Sequence, residues 1–189
     1  NMTEGMLGYD KAPVYSPDGT MIAWESMERD GYESDKNRLF IYTVETGEKK
    51  EYTTDFEQNV HGITWTEDNK HIYTISDFQA RFQIYKLNLQ TNEIKAITKG
   101  DHNYRSVSLV NNKLIASKQS MSMPTEIFAV DDSGNETQLS FVNKDLLDQL
   151  ELANVEERWV KTTDGKDMLV WVIYPPHFDP NKKYPALLY

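Results

Sequence analysis

Val60-His61-Gly62-Ile63-Thr64-Trp65-Thr66, running on to Ile94-Lys95-Ala96-Ile97-Thr98, is the stretch that decides the fold. It holds four short runs rich in β-branched and aromatic residues, at 63–66, 71–76, 82–89 and 94–98. Turn chemistry closes each run: Glu67-Asp68-Asn69-Lys70, Ser76-Asp77 and Gln90-Thr91-Asn92-Glu93. Four strands in so short a span form a meander of consecutive hairpins.

The same order of strands and turns recurs on both sides. Asp68 and Asn111, Tyr85 and Phe128, and Glu93 and Glu136 each lie 43 positions apart, as do Tyr42 and Tyr85. Asp18 precedes Asp68 by 50, and the extra seven residues fall in the polar loop 28–37. A period of this size with four strands per unit is the sequence form of a β-propeller blade. An ordinary meandering sheet is the other arrangement such strands permit, and three kinds of anchor in one register favour the repeat. The expected fold is all-β: a partial β-propeller of about three four-stranded antiparallel blades, at residues 12–54, 60–98 and 104–141, within a propeller segment 1–142. Three blades do not close a ring, because propellers have about four to eight.

Among 189 residues, 39% are hydrophobic and 12% aromatic, enough for a packed core. The net charge is −10, and no basic stripe is present to displace the counterions of a nucleic acid, so no nucleic-acid partner is expected. No cysteine occurs, which excludes disulfides, thiolate metal sites and cysteine nucleophiles. No apolar run is long enough to span a bilayer as a helix. The opening Asn1-Met2-Thr3-Glu4 reads as the start of a piece cut from a longer protein.

Two residues are candidates for lining a substrate channel: His61 and Arg105. Each lies on the first strand of its copy, the strand that faces the central bore in propellers. His61 either faces substrate or is a solvated, hydrogen-bonded channel residue. Arg105 either steers an anionic peptide terminus or pairs with a neighbouring carboxylate. Asp131-Asp132-Ser133-Gly134-Asn135-Glu136 is rich in oxygen ligands but lacks the spacing of a calcium loop and reads as a hairpin turn. No metal or cofactor is expected.

After residue 142 the period changes. Leu146, Leu147 and Leu150 have helical spacing behind Asn143 as N-cap, which predicts a short helical linker within 143–157. A hairpin follows, 158–162 and 167–174 around Thr163-Asp164-Gly165-Lys166, and then an apolar strand ending at Tyr189.

Ser16-Pro17-Asp18-Gly19 before Ile22-Ala23, together with Leu39-Phe40-Ile41-Tyr42 before Thr46-Gly47-Glu48, resembles the propeller repeats of the prolyl oligopeptidase and dipeptidyl peptidase IV families, and also of TolB-type propellers. The Asp164-Gly165 hairpin, Pro175-Pro176-His177-Phe178-Asp179 and Lys182-Lys183-Tyr184-Pro185 resemble the entry into the α/β-hydrolase domain of serine peptidases of the dipeptidyl peptidase IV and acylaminoacyl peptidase type. This places 158–189 as the hairpin and first strand of a truncated hydrolase domain.

The resemblance implies a serine peptidase that removes short units from peptide N-termini, with the propeller gating peptide access. It also implies an exported or periplasmic protein. No catalytic residue is expected in this chain: no two of its nine glycines are four apart, so Gly-x-Ser-x-Gly is absent. His177 occupies a linker position, and Glu156-Glu157 follows the last blade, away from the family's amino-terminus-binding pair. An open set of blades is expected to self-associate. The alternative is a non-catalytic, TolB-like propeller serving as a protein-binding platform.

Overall fold

Ser16 and Asp18 close the first turn with their own side chains. In the computed structural model, which describes residues 1–189, the Ser16 hydroxyl donates to Asp18 Oδ1 (2.7 Å) and accepts the Met21 amide (2.9 Å). Asp18 also takes the Thr20 amide at 3.0 Å, and Gly19 follows at φ 73°, where a Cβ is disfavoured. Thr66, Asp68 and Asn69 repeat this circuit, as do Thr162, Asp164 and Gly165. One local rule builds one turn in three places: a hydroxyl, an aspartate two residues on, then a left-handed residue.

Around these turns the chain forms antiparallel meanders. β1 (Asp10–Tyr15), β2 (Met21–Ser26), β3 (Arg38–Thr43) and β4 (Lys49–Glu51) make the first blade. β5 (His61–Trp65), β6 (His71–Phe78), β7 (Arg81–Asn88) and β8 (Ile94–Ala96) make the second. β9 (Asn103–Val110), β10 (Lys113–Ser120), β11 (Met123–Val130) and β12 (Glu136–Gln138) make the third, tied to the second by a single parallel bridge between Phe82 and Asn103.

The fourth strand of every blade is short, and a hydroxyl beyond its end continues the ladder. Thr53, Thr98 and Ser140 accept the amides of Leu39 (3.0 Å), Ile84 (2.9 Å) and Ile127 (2.8 Å). Each amide finds its acceptor in a side chain where the backbone has turned away.

Alternating apolar residues pack the blades against one another. Ala23, Leu39 and Ile41 meet Val60, Trp65, Ile72 and Leu87 between the first two blades. Tyr73, Ile75 and Ile84 meet Tyr104, Leu114, Ala116 and Phe128 between the second and third. A buried carboxylate locks the first joint: Glu25 accepts the Asn37 side chain (2.6 Å) and the Gly62 amide (2.7 Å).

The first strands of neighbouring blades lie against one another, and each carries a bulge in the same place. Ala12 and Pro13 stand opposite Trp24 alone, between the pairs Lys11–Glu25 and Val14–Ala23. Gly62 and Ile63 stand opposite Thr74 alone. On β9, Tyr104 pairs with Lys118 and Ser106 with Ser117, so Arg105 is the surplus residue. Ala12 and Gly62 take up the irregularity with positive φ (50° and 73°), whereas Arg105 does not.

The chain divides into two compact units, Asn1–Phe141 and Val142–Tyr189. In the second, the helical spacing of 143–152 yields one turn, α1 (Lys144–Leu147), which buries no residue. A helix this short without an apolar surface to cover does not repay its nucleation. β13 (Val155–Lys161) pairs with β14 (Asp167–Ile173) through the Thr162–Asp164 turn, beginning three residues before the expected 158. The apolar strand expected at the tail does not form. Leu187 and Leu188 are fully exposed, and no neighbouring strand is present to pair with them.

Candidate functional site

His61 on β5 and Arg105 on β9 line one hollow of about 410 Å³ in the first unit. The Thr64 hydroxyl fixes its width by donating across to the Val107 carbonyl at 3.0 Å. Ile63, Phe82 and Val107 give it apolar walls, and Ser106 shares a 2.6 Å hydrogen bond with Ser117 beside it.

The two candidates are held differently. His61 Nε2 lies 3.3 Å from Asp77 Oδ1, and its ring centre is 5.7 Å from that of Phe82. Half-exposed, it is a hydrogen-bonded residue that still presents a ring face to the hollow. Arg105 is exposed, and its guanidinium makes neither a hydrogen bond nor an ion pair. The carboxylate neighbour that the sequence allows for it is not there.

Behind Arg105, β9 is anchored by a polar circuit that the sequence reading missed. The Tyr104 hydroxyl donates to Glu136, and the Lys118 ammonium binds the other Glu136 oxygen while lying 3.9 Å over the Phe128 ring. Burial pushes the Tyr104 phenol up, and its bond to Glu136 adds to the rise. Burial also works to raise the Glu136 carboxyl, but Lys118 and Tyr104 outweigh it and leave the group below its ordinary value. His102, edge-on to Tyr104 at 5.2 Å between centres, is held below the usual imidazole value by burial and then by Lys118. One signal was available: Lys118 follows Leu114 and Ala116 at alternate positions, and a lysine on an inward face needs a buried partner.

The second unit has its own hollow of about 510 Å³ beside Glu156, Arg158, Tyr174 and His177. Its groups are engaged locally. Glu156 takes the Tyr174 hydroxyl (2.6 Å) and pairs with Arg158 (3.4 Å), Glu157 takes the Trp159 indole (2.6 Å), and His177 lies 2.7 Å from Glu151. No group of three or more His, Asp or Glu side chains is placed to hold a metal ion.

No family model matches the chain. Its sequence is 44% identical over 190 residues to dipeptidyl-peptidase 5 of Porphyromonas gingivalis, an alignment covering 100% of this chain and 28% of that protein. Throughout its length the chain is thus similar to part of a dipeptidyl-peptidase, and it spans little more than a quarter of the length of that relative. Among solved structures, an acylaminoacyl peptidase in complex with Z-Gly-Gly-Phe-chloromethyl ketone has the same fold, with a TM-score of 0.73 at 23% identity over 89% of this chain and 25% of that one. So does the β-propeller domain of the Trilobed protease from Pyrococcus furiosus, with a TM-score of 0.55 at 24% identity over 70% and 38%. The three meanders of the chain are blades of a partial β-propeller.

Proposed function

We propose that the intact protein is a serine peptidase that releases dipeptides or similarly short units from peptide N-termini. In this reading the present chain is a non-catalytic part of its propeller, and the serine nucleophile belongs to residues outside it. The observation that carries the reading is the 44% identity to a dipeptidyl-peptidase, which runs through the blades and the hairpin alike. The hollow bearing His61 and Arg105 supports a gating role, because it offers an entering peptide apolar walls, a hydrogen-bonded imidazole and a cation.

A fluorophosphonate probe on the intact protein tests this. The expected result is covalent labelling of one serine outside these 189 residues, with the isolated chain unlabelled. Absence of labelling on the folded intact protein would sink the peptidase reading and favour a binding platform.

A further inference from the structure

We infer that Arg105 is a carboxylate-binding residue, taking the C-terminal carboxylate or an acidic side chain of a peptide lying in the hollow between β5 and β9. The inference rests on the peptide-admitting reading for the carrier of the carboxylate; the anion site itself rests on geometry.

A bulge frees one residue from the ladder and re-aims its side chain, and bulges are enriched next to active sites. All three inner strands carry one in the same register, at Ala12, Gly62 and Arg105. Two of these positions have nothing to reach with. The third carries the longest donor fork among the side chains. Its backbone is secured from behind, since the adjacent Tyr104 is buried and bound to Glu136.

An arginine with a purely structural task in a chain of 30 acidic residues would be paired with one of them. Arg105 is not, although Arg29, Arg38, Arg81 and Arg158 all are. Asp77, the acid beside His61, is engaged by that imidazole. A planar guanidinium with its donors unspent matches a carboxylate in two parallel hydrogen bonds, which an ammonium cannot do. Ile63, Phe82 and Val107 would flank the ligand with apolar surface.

The test compares short peptides on the intact protein, identical except for a C-terminal carboxylate or amide. A third peptide, an amide, carries aspartate near its end. The wild type is expected to favour the carboxylate about fivefold, through KM with kcat unchanged, and less at high salt. Arg105→Gln should abolish the preference and Arg105→Lys should keep part of it, both with unchanged thermal midpoints. Recovery of affinity by the aspartyl amide assigns the site to acidic side chains, and failure to recover assigns it to the terminus. An identical carboxylate-to-amide ratio in the wild type and Arg105→Gln overturns the inference. Equilibrium binding of N-acetylated, uncleavable versions of the same peptides separates the two readings. Discrimination without turnover would retire the peptidase and keep the anion site, whereas turnover without discrimination would do the reverse.

Discussion

Thr98 shows how much of a blade hangs on one hydroxyl. It is buried, and its oxygen is the acceptor for the amide of Ile84, itself fully buried. Thr98→Val keeps the shape and strands that amide, so unfolding in urea should register a loss of about 1–3 kcal/mol, with Thr98→Ser close to wild type. The Tyr104 circuit predicts a stability maximum with a fall on each side. His102 is held below its ordinary 6.5, so as pH drops through that value the unfolded chain takes up a proton that the folded chain refuses, and stability falls. Glu136, held below 4.5, adds a further loss at lower pH for the same reason. Tyr104 sits above 10.0, so above that pH the unfolded phenol ionises first and stability falls again. Urea midpoints measured across pH would show this profile, and His102→Asn should flatten its neutral-to-acid limb alone. A midpoint that stays level between pH 7 and 5 in the wild type would contradict the role given to His102. Sequence had marked Glu136 only as a repeat anchor and the end of a hairpin turn. Its partners come from two other strands and a preceding loop, and pairing across a sheet leaves no local spacing to read.

At the scale of the element, Gly134 makes the sharpest prediction. It turns β11 into β12 at φ 80°, and a Cβ there would run into the Ile97 carbonyl of the second blade. Gly134→Ala combines left-handed strain with a backbone clash, so it should cost about 2 kcal/mol or more by urea denaturation. Gly19→Ala, with the same conformation and open space, should cost only the strain, about 1 kcal/mol. Turns such as Ser16-Pro17-Asp18-Gly19 were legible because four consecutive residues carry their whole chemistry. The bulges were not, since a surplus residue exists only relative to a partner strand, and nothing around Arg105 differs in composition from a regular strand. The helical spacing at 143–152 produced only the single turn α1, because periodicity announces an apolar face and Leu146 and Leu150 have nothing to cover them.

Across the whole molecule, three blades leave surface that a ring would bury. Ile127, Leu139 and Phe141 on the third blade are exposed, the last at 57%. The isolated chain is therefore expected to self-associate, with a weight-average mass by light scattering that climbs with concentration. A monodisperse monomer of 22.0 kDa would count against it. The recurring bulges of the inner strands carry a separate meaning for how such a protein changes over generations. Position 105 is outside the ladder, outside the core and free of special backbone, so mutation there alters what the hollow presents while the blade that carries it stays intact. Ala12 and Gly62 lack that liberty because their φ angles restrict what can replace them. Drift in ligand preference should therefore accumulate at position 105 sooner than at its two counterparts, leaving stability as the slower clock.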